Sequence, residues 1–128
     1  MPALARLIRC AAALLALLCL SAMAGELGRD DIARRYGPPL QVGQQPRDLP
    51  AWPIYTELQP DGAPVAWVFE SIDLAPIPGF EGTPFNLLIA LDGEGRFMSV
   101  EVLRQHEPVF LGGLGPAPLL DFVKQYAG

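Results

Sequence analysis

The sequence has few cysteines, few histidines and few basic residues. Its 128 residues include two cysteines, one histidine, and 9 Lys and Arg against 14 Asp and Glu. Both cysteines, Cys10 and Cys19, lie in the first 24 residues. The rest of the chain therefore has no disulfide, no thiolate nucleophile and no thiolate-bound cluster or haem. One histidine excludes metal sites with two or three histidine ligands. A net charge of -5 without a basic cluster argues against nucleic acid as a partner, because Lys and Arg supply most of that affinity.

Long apolar runs are also scarce. The longest, residues 10–20, is shorter than the ~20 residues of a transmembrane helix, so we expect no membrane span in the mature chain. Two arginines precede this run and Ala22-Met23-Ala24 follows it, which is the order of features in a secretory signal peptide. The sequence predicts that residues 1–24 are removed before Gly25 and that the protein is periplasmic, or membrane-associated if the segment is retained. A buried or amphipathic N-terminal helix is the alternative, but the run has no polar face.

Removal of residues 1–24 takes away two arginines and no acids, so the net charge changes from -5 to -7. The acids are scattered over turns, with no pair spaced for acid–base catalysis. A G-x-S-x-G motif is absent, and a single histidine leaves little basis for a hydrolytic triad. We therefore predict no catalytic residues.

The segment before the main domain predicts a helix and a connector. Residues 30–36 have acids first and arginines behind them, and Gly37-Pro38-Pro39 ends the pattern. Residues 37–53 contain five prolines and no hydrophobic period, which predicts an extended surface connector. We expect residues 25–53 to be this helix and connector, and residues 54–128 to form the main domain.

Two hairpins are predicted in the main domain. Residues 54–58 and 65–72 flank one Asp-Gly turn, and residues 85–91 and 97–103 flank another. Met98, Val100 and Val102 share a face of the last strand, and a period of two continues this face to Arg104 and His106.

A helix is predicted after these strands. Apolar residues recur at i, i+3, i+4 and i+7 after Pro116, so the helix should begin near residue 116. The predicted fold class is α+β, an antiparallel sheet of two hairpins covered by a C-terminal helix.

One candidate binding loop is Gly79-Phe80-Glu81-Gly82. The two glycines let the backbone approach a flat ligand, on which Phe80 can stack. The alternative is an ordinary β connection with Phe80 in the core.

A second candidate loop contains His106 and Glu107. It is followed by a glycine cluster that includes Gly113 and Gly115, and then by a helix start whose N–H groups suit an anion. The alternative is a helix cap without a ligand.

Together these loops resemble a known domain. Residues 79–102 with His106-Glu107-Pro108 resemble the FMN-binding domain of bacterial flavin-transfer proteins, in which a G-[YF]-x-G loop enters a strand that ends in D-x-x-G-[RK]. With the short apolar-Gly run and the final Tyr-Ala-Gly, residues 26–128 resemble the periplasmic N-terminal domain of the NosR/NirI family of nitrous-oxide-reduction regulators.

The resemblance implies an exported electron-transfer or regulatory flavoprotein of denitrification, rather than an independent enzyme. It also implies a periplasmic or inner-membrane redox protein as partner. The residues that would contact FMN are Gly79, Phe80, Gly82, His106, Glu107, Gly113 and Gly115.

The chain departs from the family pattern at the flavin-attachment motif. Family members bind FMN through a phosphoester to the Thr of [ST]-G-A-T and continue into membrane helices and cysteine-rich motifs, and this sequence has neither. Thr56 and Thr83 lie in other contexts, so any FMN is expected to be non-covalent. We expect a truncated or stand-alone relative. The alternatives are a flavin-free periplasmic interaction module and a non-functional fragment of a longer membrane flavoprotein.

Overall fold

The computed structural model describes residues 25–127, which form a five-stranded antiparallel sheet in the order β1-β2-β3-β4-β5. The predicted signal peptide lies outside the described residues. The strands are β1 (Leu40–Val42), β2 (Trp52–Thr56), β3 (Ala66–Glu70), β4 (Asn86–Asp92) and β5 (Phe97–Arg104). The helices are α1 (Arg29–Tyr36), α2 (Ser71–Leu74), α3 (Pro108–Gly112) and α4 (Ala117–Val123), with single 3₁₀ turns at Phe80–Gly82 and Lys124–Tyr126. The predicted α+β class is confirmed, and the two predicted hairpins are β2–β3 and β4–β5.

Helix α1 begins where the sequence predicts it. The Asp31 carboxylate accepts a hydrogen bond of 2.8 Å from the Gly28 backbone N–H, which caps the first turn. Ile32 is fully buried against the sheet. The Tyr36 hydroxyl lies 3.1 Å from the Ser99 Oγ atom, and Arg35 pairs with Glu101, so that α1 is attached to β5.

The hydrophobic core lies between α1 and one face of the sheet. Cross-strand neighbours such as Val68 and Ala90 point to the same side, and both are at most 1% exposed. The buried cluster consists of Ile32, Val42, Trp52, Ile54, Ala66, Val68, Leu88 and Ala90. Because this cluster includes residues before position 54, the N-terminal helix and connector pack into the same core as the two hairpins.

The prediction of a surface connector at residues 37–53 is wrong for its two ends. Leu40–Val42 forms an edge strand on β2, with Val42 opposite Ile54 and 5% exposed. Strand β2 begins at Trp52, inside the predicted connector. Three residues are too few to show a period of two, so the pairing with β2 decides the conformation of β1. The predicted strand of residues 65–72 is also shorter than expected. Strand β3 ends at Glu70, and residues 71–72 belong to α2.

The predicted side of Arg104 is also wrong. Val102 lies opposite Leu87 whereas Arg104 lies opposite the adjacent Asn86, so β5 contains one extra residue at Leu103. This irregularity turns Arg104 to the core side of the sheet, where its Nη1 atom lies 2.9 Å from Glu26 Oε1.

A second register shift affects the start of β5. It pairs Phe97 with Leu91, so that Phe97 and not Met98 shares the side of Val100. Period-two counting fails across both irregularities because each bulge adds a residue without advancing the ladder.

The predicted C-terminal helix is confirmed as α4, which covers part of the other face of the sheet. Val123, the last residue of α4, is 6% exposed. The Tyr126 ring meets Phe97 and Phe122 edge-on, with ring centroids 5.6 Å apart in both pairs. None of the helices in residues 25–127 is long and apolar enough to cross a membrane.

Candidate functional site

The loop between α2 and β4 is a closed turn. The Gly79 N–H donates to the Thr83 carbonyl at 3.0 Å, and the Gly82 N–H donates to the Gly79 carbonyl at 3.1 Å. Gly82 has a φ of 75°, which glycine adopts without strain, and Glu81 has a φ of 56°. Phe80 projects from this turn and is 51% exposed, so it does not fill the core.

The second candidate loop is attached to the first by Glu107. Its Oε1 atom accepts a hydrogen bond of 2.7 Å from the Phe80 backbone N–H. The Glu107 carbonyl accepts bonds of 3.0 and 3.1 Å from Phe110 and Leu111, which begins helix α3. Glu107 therefore fixes both its own helix and the turn that carries Phe80.

The approach of the two loops leaves no room for a side chain at Gly79. A Cβ atom there would collide with Glu107 Oε1 and would lie 2.9 Å from the Thr83 carbonyl oxygen. Such a contact is shorter than real Cβ atoms show, so the neighbours would have to move. The Thr83 carbonyl is part of the backbone and cannot move as easily as the Glu107 carboxylate, so it is the contact that most favours glycine here.

An open groove of about 470 Å³ lies between the two loops. We call it the Phe80 groove; its lining residues are Phe80, Glu81, Thr83, His106, Pro108, Leu111 and Gly112. Its volume lies within the range of about 300–1,000 Å³ that is usual for small-molecule sites. The groove has an exposed aromatic ring at one loop and an imidazole at the other.

The structure brings most of the predicted site residues together. Phe80 and His106 line the groove, Glu107 and Gly79 form the contact beneath it, and Gly82 belongs to the same turn. The groove's other lining residues, Glu81, Thr83, Pro108, Leu111 and Gly112, were not among the predicted FMN contacts, although all five lie in or next to the two candidate loops.

Gly113 and Gly115 do not line this groove. The Gly113 N–H donates to the Val109 carbonyl and ends α3. Gly115 has a φ of 72° in the link to α4. Both glycines lie in the link between two short helices.

The charges at the groove are acidic. Glu81 lines it and Glu107 lies beneath it, whereas neither Lys nor Arg is among its described lining residues. Within residues 25–127, no group of three or more His, Cys, Asp and Glu side chains is arranged to hold a metal ion. The arrangement suits a flat, neutral ring better than an anion.

Two curated proteins are similar to part of this chain. The regulatory protein NosR of Stutzerimonas stutzeri is 34% identical over 64 residues, and the regulatory protein NosR of Pseudomonas aeruginosa is 31% identical over 64 residues. Each match covers 50% of this chain and only 9% of the relative. No protein-family model matches the chain, and no solved structure matches it. The predicted resemblance is confirmed at this level: half of the chain is similar to a small part of the NosR regulatory proteins.

Proposed function

We propose that this protein is an exported NosR-like domain with a regulatory or electron-transfer role, and that its Phe80 groove binds the isoalloxazine ring of FMN reversibly. The similarity to NosR supports the role. The observation that carries the ligand proposal is the Phe80–Glu107 hydrogen bond, which joins the two loops that the flavin resemblance implicates.

The groove fits the ring of FMN better than the phosphate. An exposed phenyl ring and an imidazole face a volume of about 470 Å³, and stacking on such a surface is favourable. The phosphate carries about -1.5 to -2 charges, and the nearby carboxylates repel it. We therefore expect the ring in the groove and the phosphate in solvent.

Each residue has a distinct part in this binding. Phe80 supplies the stacking face, and His106 offers ring nitrogens for hydrogen bonds to the polar edge of an isoalloxazine. The Glu107 carboxylate positions Phe80 by accepting a hydrogen bond from the Phe80 backbone N–H, and the absence of a side chain at Gly79 leaves room for that contact. When bound, the flavin would supply the one- and two-electron chemistry, while the protein holds and orients it.

The proposal extends to the cellular location and the partner of the domain. We propose that the domain acts in the periplasm with a redox protein of the periplasm or inner membrane, in support of nitrous-oxide reduction. Covalent attachment of FMN is not expected, because Thr83 and Thr56 lie outside any [ST]-G-A-T motif.

A comparison of FMN with riboflavin tests the proposed binding mode. Equilibrium dialysis at low salt should give riboflavin, which lacks the phosphate, an affinity equal to or higher than that of FMN. Raising the salt should strengthen FMN binding or leave it unchanged, since screening removes the repulsion from a chain of net charge -7. FMN binding that exceeds riboflavin binding and weakens with salt would contradict this mode.

A flavin-free interaction module is the second candidate, and one observation favours it. The sheet face away from α1 has an apolar hollow of about 290 Å³, whose lining includes Phe69, Ile77 and Phe85. Ile77 is 68% exposed. Failure of both flavins to bind would make this apolar face the better candidate site.

A further inference from the structure

Two carboxylates, those of Asp73 and Glu70, lie close to Gly25. Asp73 in α2 accepts a hydrogen bond of 2.7 Å from the Gly25 N–H. Glu70, at the end of β3, is 0% exposed. Its oxygens accept bonds from the backbone N–H groups of Glu26 at 2.8 Å and Leu27 at 2.7 Å, and from the Asn86 amide at 2.6 Å.

All of these donors are neutral, so the cluster lacks a positive charge. Within residues 25–127, no Lys or Arg forms an ion pair with Glu70 or Asp73. Arg104 lies opposite Asn86 in the sheet but pairs with Glu26. A buried carboxylate without a cation is costly. Consistent with this, burial raises the pKa of Asp73, and the neighbouring charge of Glu70 raises it further, against a lowering by the Gly25 N–H bond.

A side chain at Gly25 would displace the two carboxylates. A Cβ atom on Gly25 would lie 2.5 Å from Asp73 Oδ2 and 2.7 Å from Glu70 Oε1. Both carboxylates are thus close to the same residue, with no side chain between them and its nitrogen. The sequence Ala22-Met23-Ala24 immediately before Gly25 matches the A-x-A pattern of a signal-peptide cleavage site.

We propose that Asp73 and Glu70 form a receptor for the α-ammonium group of Gly25 that cleavage after Ala24 creates. Hydrolysis of the Ala24–Gly25 amide by an endopeptidase of the export machinery consumes one water molecule. It leaves a carboxylate on Ala24 and an ammonium group on Gly25. The new cation supplies the positive charge that the two carboxylates lack, so maturation stabilises the fold.

The receptor requires a particular N-terminus. Export of the full chain and N-terminal sequencing of the recovered protein should give Gly25 as the first residue. A different first residue would overturn the proposal, because the ammonium group would then lie away from Asp73.

Titration of the α-amine tests the contact itself. Gly25 and Lys124 carry the only amines of residues 25–128, so a Lys124→Arg background leaves the α-amine alone. The pH dependence of its labelling by an amine-reactive reagent gives its pKa. We expect that pKa to exceed the usual value of about 7.7–8.0 by about one unit or more, because of the opposite charges.

Matched variants separate this contact from general effects. Asp73→Asn should return the α-amine pKa toward its usual value, whereas Asp61→Asn, a change of the same kind on an exposed loop, should leave it raised. A usual pKa in the parent protein, or a raised pKa that Asp73→Asn leaves unchanged, would overturn the proposal.

Acetylation of the same amine gives an independent stability test. The unacetylated protein should have the higher unfolding temperature at pH 6. A group whose pKa is raised in the folded state stabilises fully below its unfolded pKa, and this effect is lost as the pH rises through the folded pKa. The difference should therefore disappear at pH values above the titration of the α-amine. Equal unfolding temperatures of the two forms at pH 6 would overturn the proposal. This outcome is independent of flavin binding at the Phe80 groove.

Discussion

The carboxylate of Glu107 accepts a hydrogen bond of 2.7 Å from the backbone N–H of Phe80, 27 residues earlier in the chain. The bond joins the turn after α2 to the start of α3 and leaves the Phe80 ring 51% exposed. Two loops that are separate in the sequence therefore form the two sides of one groove.

Gly79→Ala should destabilise the fold by about 1–3 kcal/mol, because the added methyl group overlaps the Glu107 carboxylate and the Thr83 carbonyl. Chemical denaturation measures this loss. Gly93→Ala is the matched control, since a Cβ atom there meets nothing within 4 Å. An equal effect of the two substitutions would contradict the close contacts around Gly79.

Glu107→Ala should lower the free energy of unfolding by about 1 kcal/mol, the usual net contribution of one hydrogen bond. The amide hydrogen of Phe80 should also exchange with solvent faster, because the Phe80 N–H loses its acceptor. Hydrogen-exchange NMR measures the second effect. Glu57→Ala, which changes an exposed acid at the end of the β2 region, should alter neither quantity.

Ile32→Ala should destabilise the fold by about 2–5 kcal/mol, the range for truncating a fully buried aliphatic side chain. Leu58→Ala is the control, because Leu58 is 94% exposed and its change should stay within about 0.5 kcal/mol. Denaturation curves of the two variants test whether α1 shares the core of the sheet. A loss at Ile32 no larger than that at Leu58 would mean that α1 is a detachable extension.

Local sequence patterns could predict α1, α4 and both hairpins, because each has its own turn residues or apolar period. The edge strand β1 could not be predicted in this way, since three residues carry no measurable period and its pairing with β2 is a tertiary contact. The side of Arg104 could not be predicted either. The extra residue at Leu103 is a feature of the pairing with β4, and composition does not reveal it.

The candidate site was predictable in part for the same reason. Each of its loops is marked by glycines in the sequence, but the Phe80–Glu107 bond depends on how the chain returns to the sheet. The cluster of Glu70 and Asp73 was missed altogether. Acids three residues apart at the end of a strand resemble solvated turn residues until the burial of Glu70 is known.

The stability of the acetylated protein should depend on pH through Asp73. Its pKa is raised in the fold by burial and by Glu70, so its contribution is most favourable below its unfolded pKa and is lost as the pH rises through the folded value. Asp73→Asn removes this titration. The variant should therefore gain stability relative to the acetylated parent as the pH rises from about 3 to 6, in thermal unfolding across that window. A constant difference over this range would contradict the raised pKa.

Flavin binding at the Phe80 groove is tested most directly by fluorescence-quenching titration of FMN with the wild type, Phe80→Ala and Phe122→Ala. Phe122 is a matched control, because it is also 51% exposed but belongs to α4 and does not line the groove. The wild type and Phe122→Ala should quench FMN equally. Phe80→Ala should bind about fivefold or more weakly, which corresponds to the loss of about 1 kcal/mol of stacking. No quenching with the wild type, or equal quenching with Phe80→Ala, would contradict flavin binding at this groove.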